Sequence, residues 1–356
     1  MADFGATFRC LTGNDPFPWQ RALYERLVVE DFPDACNLPT GLGKTNVVAV
    51  WLIAWLNEPK KIPRRLVYVV NRRTVVDQTT TEVESIRKNL QTLADVPEDR
   101  RSLAISTLRG QFADNREWSA DPSRPAVICG TVDMIGSRLL FSGYNVGFKA
   151  RPLHAGFLGQ DALLVHDEAH LEPAFQELTE TIQNEQHERE QTSDFPWPKL
   201  RVMALTATTR GGGNVFSLTD AEACPPPTLP QPTEPIHHVW HRLCARKSLH
   251  VESVKRGLVA KAIGEKSRDR WKDSGKAILV FVRTIEDVNT VHEILIDKKQ
   301  GVPEDQVLLL TGTLRGLERD RMVEKDVFRR FQLKAPADGK TVYLVCTSAG
   351  EVGVDI

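Results

Sequence analysis

The stretch that most constrains this chain is residues 37–56. There Asn37, Leu38, Pro39, Thr40, Gly41, Leu42, Gly43, Lys44, Thr45 and Asn46 run directly into ten consecutive apolar residues. A turn bearing Gly41 and Gly43 lets the backbone curl until several N–H groups face one hollow. A helix starting at that point adds its unpaired donors and the positive end of its dipole. Such a hollow fits a polyphosphate. Thr40, Gly41, Leu42 and Gly43 would form the cradle, Lys44 would reach the β- and γ-phosphates of ATP, and the Thr45 hydroxyl would be one ligand of the accompanying Mg2+. The strict signature places a glycine six residues before the lysine. Leu38 stands there, so only Gly43, Lys44 and Thr45 match it literally.

A chain of 356 residues is long enough for two domains, each with its own core. Its 41% hydrophobic and 26% charged residues are those of a soluble globular protein, and a net charge of -1 provides no overall attraction to nucleic acid. Any basic track must therefore be local. Cys10, Cys36, Cys129, Cys224, Cys244 and Cys346 are scattered without a Cys-x-x-Cys pair, which argues against a disulfide framework or a four-thiolate zinc site. The N-terminus lacks the layout of a signal peptide, and the apolar run 47–56 is too short to span a bilayer. A cytoplasmic protein with no membrane association is expected.

Upstream of the glycine turn, Phe17, Pro18, Trp19 and Gln20 precede a helical pattern. Gln20 offers a donor and an acceptor that match adenine, with Phe17 or Trp19 available to stack, and a plain aromatic staple at a helix start is the competing reading. Downstream, residues 65–70, 104–108, 126–131, 162–165 and 202–206 are apolar runs expected to be strands of a parallel sheet. Each delivers polar residues at its carboxyl end, where open α/β sheets bind ligands. These are Arg72, Arg109, Thr131 with Asp133 just beyond it, the run His166, Asp167, Glu168, Ala169 and His170, and Thr206 to Thr208. Thr131 or Asp133 is also a plausible helix cap. Asp167 at a strand tip is placed to hold magnesium through water. Glu168 can orient and deprotonate the water that attacks the γ-phosphorus, with His170 as a relay. His166 and Asp167 also spell the dipeptide of HD phosphohydrolases, but the strand before the pair and the acid after it fit the ATPase role better.

Prolines crowd residues 225–235, excluding helix and favouring an extended connector. The expected organisation is a first domain over 1–223, a linker over 224–236 and a second domain over 237–356. Cys224, His237, His238, His241 and Cys244 cluster near this linker, but no pair among them has zinc-finger spacing. Beyond it, residues 251–271 and 285–295 are expected as helices and 277–282, 307–310 and 341–346 as strands, with Thr311 and Thr347 at strand tips.

In order, Gln20, the turn from Thr40 to Thr45, Arg72, Thr131 to Asp133, Asp167 to His170, Thr206 to Thr208, Phe281 to Thr284 and Thr347 to Asp355 resemble the motifs of superfamily 2 helicases. Residues 69–78, 114–118 and 130–144 further resemble the CRISPR-associated helicase-nuclease of type I interference systems, in the subtype whose nuclease domain follows the helicase. The resemblance implies an α/β fold of two RecA-like domains, each a parallel sheet flanked by helices, with ATP in the cleft and single-stranded DNA across the top. It implies that Lys44, Thr45 and Asp167 serve phosphate and magnesium and that Glu168 activates water. Gly353 and Asp355 would complete the nucleotide site, and Arg72, Arg109, Thr131, Asp133, Thr311 and Thr347 would line the DNA. Contacts of that kind grip phosphates without reading sequence. A CRISPR surveillance complex is the implied partner.

The sequence stops at Ile356, before the arginine-bearing helix of the family, so the second domain is expected to be C-terminally truncated and its turnover reduced. No segment supplies the histidine-aspartate nuclease site, so cleavage is expected to reside in a separate or missing nuclease domain. The alternatives are a nucleotide- and nucleic-acid-binding fragment with little ATPase activity, and a P-loop kinase or signalling ATPase. The latter has no use for a second sheet domain.

Overall fold

A computed structural model describes residues 3–71, 73–108, 117–191, 198–206, 213–297, 299, 301–312, 322, 325–331 and 339–347. The chain divides into two compact units, Met1–Arg246 and Lys247–Ile356. The proline-rich residues expected to link two domains, together with the helix that follows them, thus belong to the first unit.

The first unit is built on a sheet of seven strands: β1 (Ala35–Asn37), β2 (Arg65–Val70), β3 (Ala104–Leu108), β4 (Ala126–Thr131), β5 (Ala162–Asp167), β6 (Leu200–Thr206) and β7 (Val215–Ser217). Their order is β3-β4-β2-β5-β6-β1-β7, and every neighbouring pair is parallel. The apolar runs are continuous because both faces are covered. Leu66, Tyr68, Val70, Leu163, Val165, Met203 and Leu205 point into one core, with α1 (Phe4–Thr12), α2 (Pro18–Leu27), α3 (Val47–Asn57) and α4 (Arg73–Leu90). Their alternates Val67, Val69, Ile128, Leu164 and Val202 point into a second core, with α5 (Glu117–Ala120), α6 (Val132–Leu139), α7 (Arg151–Gly159) and α8 (Pro173–Gln191).

The helix after the glycine turn is α3, and its residues from Val47 to Leu56 are all buried. It has no polar face because α1 and α2 cover the side turned away from the sheet. Each buried Val, Leu or Ile there contributes about 1.5–3 kcal/mol, so the element that starts at the glycine turn is firmly seated in the unit. Two further helices, α9 (Asp220–Ala223) and α10 (Pro235–Leu243), follow β7.

The second unit holds a parallel sheet of β8 (Ala277–Phe281), β9 (Val307–Leu310) and β10 (Val342–Cys346), in the order β8-β10-β9. Helices α11 (Val259–Trp271) and α12 (Ile285–Leu295) belong with the core around Val280, Val291, Tyr343 and Val345, while α13 (Asp326–Arg329) adds Phe328 to the opposite face. Thr284 and Asp287 form a capping box that starts α12, the hydroxyl accepting from Asp287 N at 3.1 Å and the carboxylate from Thr284 N at 3.2 Å. The helix expected from residue 251 begins only at Val259, after a 3₁₀ turn over Arg256–Leu258. Gly257 lies in that turn, and glycine's backbone freedom opposes propagation of a helix through it.

Candidate nucleotide site

All seven strands of the first unit run the same way, so their carboxyl ends gather on one edge. β1 releases the chain there as an open turn in which Gly41 (φ 77°) and Gly43 (φ 67°) both adopt the left-handed conformation that glycine accepts without strain. Gly43 opens a 3₁₀ turn, Lys44–Asn46, that leads into α3. The departure at position 38 has a tertiary cause. Leu38 is fully buried in the core, and its N–H bonds Thr206 O at 3.0 Å. The chain is still running beside β6 at that point, and the curl begins after it.

The acids stand at the end of β5, separated from β1 by β6. Lys44 Nζ donates to Glu168 Oε1 at 2.9 Å, and both side chains are largely shielded, at 9% and 23% exposure. Glu168 itself has φ 50°, ψ 44°. A non-glycine residue in that region costs on the order of 1–2 kcal/mol, the sort of strain that persists where the surroundings over-determine it. Here it accompanies a carboxylate turned toward the lysine of the phosphate turn. His170 Nδ1 lies 3.5 Å from the other carboxylate oxygen.

Asp167 is deeper. Its Oδ2 accepts the Tyr68 hydroxyl at 2.9 Å and its Oδ1 accepts Glu168 N at 3.0 Å. Burial raises its pKa above the ordinary carboxylate value, Lys44 works against that rise, and Glu168 adds to it. Tyr68, wholly buried, is pushed well above the usual phenol value by burial first and by the Asp167 charge second, with Thr45 working against the rise. Tyr68 thus holds Asp167 from within the core, close to Thr45 of the glycine turn.

A buried carboxylate beside a hydroxyl is the hard-oxygen donor set that suits Mg2+, which commonly binds through one or two carboxylates together with substrate phosphates. His166 turns the other way. Its Nδ1 bonds Gln176 Oε1 on α8 at 2.8 Å, its ring meets Phe175 edge-on, and burial holds its pKa below the usual value. Among the described residues no group of three His, Cys, Asp or Glu could hold a metal ion.

Gln20 is buried, its Oε1 accepting Phe17 N at 2.9 Å and its Nε2 donating to Gly43 O at 3.3 Å. It both starts α2 and ties that helix to the phosphate turn. Trp19 is fully buried, with its indole N–H on Leu42 O at 3.2 Å. It therefore fastens the turn and is not free to stack on a base. Of the two aromatic residues expected to be available, only Phe17 is partly exposed, next to Gly43.

Thr131 caps α6, its buried hydroxyl accepting Met134 N at 3.4 Å, and Asp133 is exposed in the first turn of that helix. Thr311 and Thr347 end β9 and β10 in the second unit and are nearly buried, with Thr347 N on Leu310 O at 3.3 Å. Arg72, Arg109, Ala207, Thr208, Gly353 and Asp355 lie outside the described residues.

The zinc-like cluster near the prolines has another use. His241 Nε2 bonds Pro230 O at 2.7 Å and His237 Nδ1 bonds Gln231 O at 3.0 Å, pinning the proline-rich strand to α10. Sequence reasoning missed Tyr68, although it is the one hydroxyl in the otherwise apolar interior of β2. It also missed Glu222, which is buried and accepts Trp19 N at 3.2 Å.

Residues 18–212 match the family model described as DEAD/DEAH box helicase, and residues 255–356 match the helicase conserved C-terminal domain. No curated protein matches the chain. Solved structures of similar fold include the Mycobacterium smegmatis helicase Lhr bound to ssDNA and AMP-PNP, at 16% identity and a TM-score of 0.57, covering 99% of this chain and 43% of that one. The DEAD-box helicase Mss116 bound to ssRNA and UDP-BeF matches at 17% identity and 0.57, covering 98% and 64%. The DUF1998 helicase MrfA bound to DNA and AMPPNP matches at 13% identity and 0.58, covering 100% and 45%. The chain therefore spans less than two thirds of the length of each. The likeness establishes the fold as two RecA-like domains, each a parallel sheet flanked by helices.

Proposed function

The chain belongs to the DEAD/DEAH box helicase family, and from that premise we propose that it is the ATP-driven motor of a single-stranded DNA translocase in a type I CRISPR interference system. The observation that carries the motor reading is the Lys44–Glu168 pair at 2.9 Å, set beside the hydrogen bond from Tyr68 to Asp167. A triphosphate in the glycine hollow offers Lys44 a stronger partner than Glu168. Glu168, released from the lysine, is then free to orient a water and take its proton, with His170 beside it. Thr45 and Asp167 would hold Mg2+, which when bound offsets charge on the β- and γ-phosphates. Phe17, partly exposed beside Gly43, is the proposed adenine contact, and Gln20 joins it only by giving up a bond to Phe17 N or Gly43 O.

Nucleic-acid contacts are proposed for Arg72, Arg109, Thr131 and Asp133 of the first unit and for Thr311 and Thr347 of the second. The similar helicases carry DNA in some structures and RNA in others. The choice of DNA, and of a CRISPR surveillance complex as partner, rests on the resemblance of residues 69–78, 114–118 and 130–144.

Phosphate release by the purified chain, with and without single-stranded DNA or RNA, tests this. DNA should stimulate turnover, and Lys44→Ala and Glu168→Gln should each reduce it by about a hundredfold or more. Undiminished turnover in either variant would remove the site assignment. Stimulation by RNA alone would remove the DNA and CRISPR reading. ATP binding without stimulated turnover would favour a nucleotide- and nucleic-acid-binding fragment.

A further inference from the structure

A second cation stands at the phosphate turn. Arg242, in the last turn of α10, lays its guanidinium against Gly41. A Cβ placed on Gly41 would sit 3.1 Å from Arg242 Cζ and 3.7 Å from Nε, and closer still to Nη1. Gly41 stands three residues before Lys44, on the turn read above as the phosphate cradle.

The position of Arg242 is built from the core outward. Glu222 is buried and accepts Trp19 N at 3.2 Å as well as Thr219 N at 3.0 Å and Thr219 Oγ1 at 2.8 Å, which fixes α9 against the start of α2. Trp240 donates its indole N–H to Ala221 O at 3.0 Å and stacks on His237, which fixes α10 against α9. Val239 is fully buried, and His241 bonds Pro230 O. Trp19 in turn holds Leu42 O of the phosphate turn. Arg242 and the turn it overlies are thus both fastened to the same residue, Trp19, by short chains of hydrogen bonds.

The charge arrangement is uneven. Lys44 is neutralised by Glu168 on the β5 side of β1. Arg242 comes from the elements that follow β7, on the opposite side of β1. It is exposed, and among the described residues it has no acidic partner. A guanidinium presents five N–H donors in a planar fork matched to phosphate oxygens. The helix dipole favours a cation in the last turn, but it does not require that cation to reach over a glycine of the turn.

We propose that Arg242 is a second phosphate-binding cation of the nucleotide site, supplied in cis by α10 to the phosphate chain of a nucleoside di- or triphosphate. The inference rests on the nucleotide reading above and adds a residue to it. Arg242 and Lys44 then hold the phosphates from opposite sides of the turn.

Calorimetric titration of the full chain with ATP, ADP and AMP tests it, using wild type, Lys44→Ala, Arg242→Ala and Arg242→Lys. Arg242→Ala should weaken ATP and ADP by about tenfold, the scale of one charge-assisted hydrogen bond, and leave AMP and the thermal midpoint unchanged. Arg242→Lys should recover part of the loss. ATP affinity equal to wild type in Arg242→Ala overturns the proposal, as does tighter ATP binding, which would make the arginine a plug. Equal weakening of all three nucleotides overturns it too, because a structural prop does not count phosphates. If wild type and Lys44→Ala bind ATP equally poorly, the nucleotide reading itself falls; a loss in Lys44→Ala without one in Arg242→Ala sinks only the role of Arg242.

Discussion

Tyr68 shows how one side chain can matter to a site it does not line. Its hydroxyl donates to Asp167 from within the core. Tyr68→Phe would leave a buried carboxylate short of a donor, a loss of about 1–3 kcal/mol. Urea unfolding of Tyr68→Phe, Asp167→Asn and the double variant checks this. The two losses should fail to add, because the phenol has much less to stabilise once the carboxylate is an amide. Strict additivity would mean that the Tyr68 hydroxyl does not act through Asp167. Gln20 makes the complementary point. Its amide was expected to match adenine, yet its bond to Gly43 O depends on a turn 23 residues away in sequence, and nothing local to Gln20 reveals it.

At the scale of elements, the helices that position the site differ in how they are held. α3 is held by burial on every side, and α10 by Val239 and by directed bonds from Trp240 and His241. In the second unit α11 and α12 approach closely at Gly264, where an added Cβ would meet Ile294 Cδ1 at 3.0 Å and its Cβ at 3.1 Å. Gly264→Val should therefore push the pair apart and destabilise that unit by about 1–3 kcal/mol. Faster amide exchange along α11 would report it, and Ile294→Ala in the same chain should restore part of the protection. Unchanged exchange would mean that Ile294 can turn aside without cost.

At the scale of the whole molecule, the first compact unit includes α10 and ends at Arg246. A fragment of residues 1–246 should therefore melt several degrees above a fragment of residues 1–223. The shorter piece loses buried Val239 and leaves Glu222 and Ala221 without the helix that covers them. For a unit of this size each kcal/mol moves the midpoint by roughly 2–4 °C. Equal midpoints would show that α10 adds nothing to the unit. Proline content correctly excluded helix from most of residues 225–235, because proline removes a donor whatever surrounds it. It carried no information about which unit that extended strand would lie on.

Most of the strands, their parallel setting and the glycine turn were legible in the sequence because each depends on neighbouring residues, whereas β1 and β7, three residues each, were too short to show a pattern. Continuous apolar runs require two covered faces, and closely spaced glycines permit a left-handed curl. Tertiary structure alone decided that Leu38 could stand where a glycine is usual, that Trp19 would fasten the turn instead of facing a base, and that Lys44 would meet Glu168 while Arg242 came to rest on Gly41. The physical reason is common to all four. Burial and pairing are properties of residues that meet across long separations, 124 positions in the case of Lys44 and Glu168, and a side chain's chemistry states what it can bond without stating what will be brought to it.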